Sequence, residues 1–245
     1  GKTTTIRMLL GLIRPDGGEV HIFGQSLQQN RLPILRQVGA LVESPSLYDH
    51  LTGRENLALK CWLTGKQRSD IDRALEIVRL TEAADRRVRT YSLGMKQRLA
   101  LALMGDPPLL ILDEPTNGLD PAGIHEMRDL ICRLSAEHGI TVFLSSHLLS
   151  EVEQVATHIG IINQGQLLFQ GPPDALHAQV DDQLALEVDQ PQRAKHVLQQ
   201  AGWSIKRNGN HQMVISVNGH SDVAMLNAQL VHNGVNVYHL HMERP

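Results

Sequence analysis

LLILDEPTNGLD, residues 109–120, opens on four aliphatic residues and runs into the turn formers Pro115, Asn117 and Gly118. A run so short and so uniformly apolar suits a strand buried on both faces, as in a parallel sheet. Two carboxylates, Asp113 and Glu114, stand where that strand would end. Ligands of open α/β sheets sit just outside the carboxyl ends of the strands. Asp113 at that place can hold a Mg2+ directly or through water, and Glu114 can polarise a water for attack on a γ-phosphate. The plainer reading, two carboxylates capping a strand at the solvent edge, is disfavoured by the PTNGLD that follows.

The surrounding pattern extends the α/β reading in both directions. Ahead of the strand, YSLGMKQRLALA (91–102) reads as a helix with Ser92 as its N-cap. Ser92 and Gly94 therefore stand at a helix start, where anions are favoured. Behind it, HEMRDLICRLSAEHG (125–139) is a helix closed by Gly139, ITVFLSSH (140–147) a second buried strand ending in His147, and LLSEVEQVA (148–156) a helix. HIGIINQGQLLFQG (158–171) is a strand pair turning at 163–165. VGALVES (38–44) is a further strand, EVHIFG (19–24) a short alternating one that ends at Gly24, and residues from about 51 to 90 a polar, helical stretch with Leu75, Val78 and Leu80 on one segment. Strands alternating with helices imply a layered α/β core.

The chain starts GKTTTIRMLLGLI (1–13), apolar at Ile6, Leu9, Leu10 and Ile13 with helical spacing. Gly1, Lys2, Thr3 and Thr4 match the end of the phosphate loop G-x-x-x-x-G-K-[ST]. In that loop the backbone N–H groups wrap phosphates, the lysine reaches the β- and γ-phosphates, and the Thr3 hydroxyl would ligate Mg2+. The half motif alone would not identify the protein.

Bulk properties narrow the field. The chain has 245 residues and a formal net charge of −3, and 3% of its residues are aromatic, so neither a basic nucleic-acid surface nor a base-stacking platform is expected. Two distant cysteines, Cys61 and Cys132, make no disulfide framework or zinc knuckle. The thirteen histidines are scattered, with no HExxH and no Cys/His cluster. No run of about 18 apolar residues is present to span a bilayer. Near residue 180 the texture changes. A strand at 184–189, helix 191–201, strand 203–207, turn 208–210, strand 211–217, helix 222–233 and strand 235–241 make a β-α-β-β-α-β pattern of ferredoxin-like type.

Lys2/Thr3, then SLGMKQR (92–98), LLILDEPTNGLD (109–120) and SSH (145–147), in that order and spacing, resemble the ATP-binding subunit of an ABC transporter over residues 1 to about 178. The SLGMK form resembles the bacitracin- and lantibiotic-type exporter ATPases. The resemblance implies a P-loop NTPase core at 1–178 with a helical subdomain at about 51–100, followed by a small domain at 183–242. It implies ATP and Mg2+ as ligands, with ATP bound by Gly1, Lys2, Thr3 and Thr4. It makes Ser92 and Gly94 the signature helix and Gly118, Leu119 and Asp120 the loop crossing a dimer interface. Asp113 becomes the magnesium-linked acid, Glu114 the catalytic carboxylate and His147 the switch histidine. The position usually held by a magnesium-sensing Gln is here Glu43, an acceptor that cannot donate and a further metal and nucleotide contact. The implied partners are a second ATP-binding subunit, head to tail and read as a homodimer, and membrane-embedded permease subunits. The implied location is the cytoplasmic face of the plasma membrane, and the implied cargo an antibiotic, peptide, drug or lipid. Leu47, Tyr48 and Leu51 are either contacts for the permease or internal packing. The resemblance further implies that residues precede Gly1 and that the fragment alone binds ATP poorly. The alternative is a soluble ABC-type ATPase acting on a non-transport target. Such proteins usually carry two ATPase units or long coiled-coil inserts, and neither pattern is present.

Overall fold

In the computed structural model the described residues are 1–42, 45–64, 69–177, 182–208, 212–217 and 219–243. The chain divides into two compact units, Gly1–Gln170 and Gly171–Pro245. The first contains α1 (Lys2–Leu9), β1 (His21–Ile22), β2 (Gln25–Ser26), α2 (Arg31–Leu35), β3 (Val38–Leu41), α3 (Gly53–Thr64), α4 (Ser69–Ile77), α5 (Leu93–Met104), β4 (Leu109–Asp113), α6 (Pro121–His138), β5 (Thr141–Ser145), α7 (Leu149–Val155), β6 (Ile159–Asn163) and most of β7 (Gln166–Gly171). The second contains α8 (Pro173–His177), β8 (Asp182–Val188), α9 (Pro191–Gln200), β9 (Ile205–Asn208), β10 (Gln212–Val217), α10 (His220–His232) and β11 (Val237–Glu243).

The LLILD run is the middle strand of a parallel three-stranded sheet, order β3-β4-β5. Its alternation sends Ile111 one way, into a cluster with Ile6 of α1 and Leu10 just beyond that helix. Leu110 and Leu112 go the other way, into the main core with Leu99 of α5 and Met127, Leu130 and Ile131 of α6. Burial on both faces is why no polar residue interrupts the strand. Gly39 lets β3 approach closely. A Cβ there would lie 3.0 Å from both Leu110 and Pro107 and 3.1 Å from Met104.

β5 departs from the expectation of a buried strand. Val142 and Leu144 pack against the main core, but Phe143 is 44% exposed. β5 is an edge strand, as β3 is, but the α1 cluster covers β4 and β3 without reaching it. The stretch 19–24 also differs. It forms the antiparallel β1/β2 hairpin, turning at Phe23 and Gly24, both at positive φ as a two-residue hairpin turn of type I′ requires. α1 ends at Leu9, so Ile13 lies beyond it and is exposed. Residues 51–90 break into α3, α4 and two single 3-10 turns, with Leu75, Val78 and Leu80 buried.

In the second unit the sheet order is β11-β8-β10-β9, antiparallel throughout. This is the split β-α-β arrangement, in which the third strand inserts between the first two. Leu184, Leu186 and Ile215 of the sheet meet Leu198 of α9 and Leu226 and Leu230 of α10 in one core. β9 begins at Ile205 rather than 203, and Trp203 before it donates from Nε1 to Gln229 Oε1 at 3.1 Å. Part of the expected turn, residues 209–210, lies outside the described residues. Among the described residues no helix is long and apolar enough to cross a membrane.

Candidate functional site

The packing of α1 on Ile111 aims the helix so that its first residue, Lys2, meets the carboxyl end of β4. Lys2 Nζ donates to Glu114 Oε1 at 2.7 Å and to the Ser146 carbonyl at 2.6 Å. His147, two residues past the end of β5, places Nδ1 2.8 Å from Glu114 Oε2. Lys2, more than a hundred residues earlier in the sequence, therefore joins Glu114 and His147 in one cluster at the strand ends. Partial burial pushes the Glu114 carboxyl up, but hydrogen bonds and charge from Lys2 and His147 outweigh it and hold the group below its ordinary value.

Glu114 sits at positive φ, 50°. A non-glycine residue holds that conformation only where its surroundings impose it. Its N–H donates to Ser145 Oγ at 3.0 Å, and the same hydroxyl donates to Asp113 Oδ1 at 2.6 Å. Asp113 and Ser145 are direct neighbours in the parallel register of β4 and β5. Further on, Thr116 Oγ1 donates to Glu151 Oε2 at 2.7 Å, tying the loop after Glu114 to α7.

Thr3 and Thr4 occupy the first turn of α1. That turn has no acidic residue and no side-chain cap from Gly1, so its backbone N–H groups and the positive end of the helix face outward. A hydroxyl at Thr3 and a carboxylate at Asp113 are hard oxygen donors of the kind magnesium prefers. Among the described residues no three His, Cys, Asp or Glu side chains converge to hold a metal by themselves. Magnesium that accompanies a nucleotide draws most of its ligands from phosphate and water, so the donor set fits. Glu43 lies outside the described residues.

The remaining expected residues form a second cluster. Ser92 caps α5, accepting the Met95 N–H at 3.2 Å, and Asp120 caps α6, accepting the Gly123 N–H at 3.1 Å. The two caps meet through small residues. A Cβ on Gly118 would lie 3.2 Å from Leu93, and one on Gly94 3.5 Å from Leu119. Among the described residues no hydrogen bond or ion pair joins Ser92, Gly94 or Asp120 to Lys2, Glu114 or His147. One chain thus carries two separate groups of expected site residues, each at a helix start.

Sequence reasoning gave no role to Ser145, whose only clue was its place as the first residue of SSH, two before the expected switch histidine. It also missed Asn56, which is buried and grips the 48–52 loop. Its Nδ2 donates to the carbonyls of Tyr48 and Thr52, and its Oδ1 accepts the Tyr48 N–H. Of the candidate partner contacts on that loop, Leu47 packs inward while Tyr48 is 58% exposed.

Comparison with known proteins bears on the family. Residues 1–117 match the ABC transporter family. The bacitracin transport ATP-binding protein BcrA of Bacillus licheniformis is 46% identical, over 99% of this chain and 80% of that protein. The lantibiotic transport ATP-binding protein SrtF of Streptococcus pyogenes is 41% identical, over 69% of this chain and 73% of its own length. A solved structure described as the ATP-binding subunit of an ABC transporter superimposes with a TM-score of 0.61 at 31% identity, covering 73% of this chain and 77% of that one. With these matches added to the motif order and the clustered lysine, glutamate and histidine, the chain belongs to the ABC transporter family as an ATP-binding protein that hydrolyses ATP.

Proposed function

We propose that this protein powers an exporter of antibiotic or antibiotic-like peptide cargo, working as a head-to-tail homodimer on the cytoplasmic face of the plasma membrane beneath separate permease subunits. The observation that carries the site assignment is the convergence of Lys2, Glu114 and His147 at the end of β4. The exporter reading rests on the likeness to bacitracin and lantibiotic transport ATP-binding proteins.

ATP is held with its phosphates at the start of α1, against the N–H groups of the first turn and the Lys2 ammonium. Mg2+ would neutralise phosphate charge when bound, and Thr3, Asp113 and Glu43 are the residues that would hold it. Glu114 orients the attacking water and takes its proton. Its depressed pKa suits the paired arrangement with Lys2. As the ammonium turns to the phosphates, the carboxylate loses a cation and becomes a better base. His147 holds Glu114 through Nδ1, and its remaining ring nitrogen is available to the γ-phosphate. Ser92 and Gly94 bind the γ-phosphate of the nucleotide on the facing subunit, which accounts for two helix starts in one chain. Asp120 lies at that interface.

Complementation tests the dimer. Lys2→Ala and Ser92→Arg homodimers should each lose ATPase activity. Co-expressed as a heterodimer, the two variants should regain it, because both defects fall in one of the two shared sites and leave the other intact. No recovery in the purified heterodimer would sink the head-to-tail arrangement.

A further inference from the structure

Resting on the reading of Asp113 and Glu114 above, we propose that Ser145 is a positioning residue for the ATPase reaction. Its hydroxyl sets the orientation of the Asp113 carboxylate and pins the backbone of Glu114. The roles of its atoms are unambiguous. A peptide N–H can only donate, so Ser145 Oγ accepts from Glu114 at 3.0 Å, and an ionised carboxylate can only accept, so the single hydroxyl proton goes to Asp113 Oδ1 at 2.6 Å.

The position is as specific as the bonds. Ser145 is the last residue of β5, directly beside Asp113, and is 7% exposed, which makes it one of only four buried polar or charged residues among those described. Water has little access to replace either bond. A buried polar residue at a strand end therefore serves two neighbours that the reaction needs. One is a carboxylate whose plane must be set for a metal. The other is a residue held at φ 50°, whose side chain lies between Lys2 and His147. Partners that orient a metal-binding carboxylate typically change metal affinity by about 10–100-fold when removed. The short reach also restricts what can substitute. Alanine leaves the Glu114 N–H and Asp113 Oδ1 without this partner, while threonine keeps the hydroxyl and suits a strand.

The test uses the complete protein with Mn2+ in place of Mg2+, its binding followed by electron paramagnetic resonance in the presence of a non-hydrolysable ATP analogue. Ser145→Ala should weaken Mn2+ about 10–100-fold and lower kcat, with little change in KM for ATP. Ser145→Thr should restore most of both. Asp113→Asn separates the two ideas. If it loses Mn2+ affinity while Ser145→Ala keeps the wild-type value, Asp113 stands as a ligand and the role of Ser145 is overturned. If Asp113→Asn binds Mn2+ normally, the metal role of Asp113 falls, and the proposal with it. A Ser145→Ala protein that melts at lower temperature but binds Mn2+ and turns over normally also overturns the proposal, since Ser145 would then be structural only.

Discussion

Replacing Glu114 by Gln should tighten ATP binding while stopping most turnover, and the structure sets the size of the first effect. The carboxylate accepts from Lys2 with one oxygen and pairs with His147 through the other. An amide keeps one acceptor and cannot keep the charge. The Lys2 and Glu114 side chains are 38% and 21% exposed, so the pair lies in the range of partly solvated ion pairs, at most about 1 kcal/mol. Releasing Lys2 from that pair lowers the cost of turning it to phosphate by the same amount, or about fivefold in Kd. Removing a negative charge beside a triphosphate acts in the same direction. Loss of the group that takes the water's proton should lower kcat by about 10²–10⁴-fold. Calorimetric titration with ATP and a phosphate-release assay on the complete protein read both quantities. The gain should shrink at high salt. It should also shrink in a Lys2→Gln background, because the part that comes from releasing Lys2 is shared between the two changes. Weaker ATP binding in Glu114→Gln, or an equal gain with Lys2 already removed, would refute the argument that the two residues compete.

Two other perturbations follow from the packing. A Cβ at Gly53 would lie 2.4 Å from the Tyr91 hydroxyl, which is buried and donates to the Ala83 carbonyl at 2.6 Å. Gly53→Ala must displace Tyr91, lose that bond and strain the core, at about 3 kcal/mol in urea unfolding. The same change made with Tyr91→Phe should cost less than the sum of the two, and a loss under about 1 kcal/mol would show that the helix start shifts freely. The second perturbation is pH. The depressed Glu114 carboxyl contributes stability that is present above its unfolded pKa, ordinarily 4.5, and is lost as pH falls through the lower folded value. The melting temperature should therefore drop more steeply below pH 4.5 in the wild type than in Glu114→Gln, and parallel curves would remove this group from the acid response.

Much of the protein was legible because its determinants are local. LLIL announced a strand buried twice over, Ser92 and Gly139 marked helix ends by their own hydrogen-bonding and φ preferences, and the β-α-β-β-α-β texture after residue 180 followed from periodicity. The order of four motifs was enough to name the family. What the sequence could not decide depends on how distant segments land. Whether β5 is covered depends on where α1 rests, and α1 rests on β4 and β3, leaving Phe143 exposed. The Lys2–Glu114–His147 cluster needs the helix direction set by Ile6 on Ile111. Ser145 is the plainest case. In the sequence it is one of two adjacent serines, and only the parallel register of β4 and β5, which aligns residues 32 apart, turns its hydroxyl into the link between Asp113 and Glu114. A strand's inward pattern can be read from its own residues, but its neighbour across the sheet is chosen by the fold.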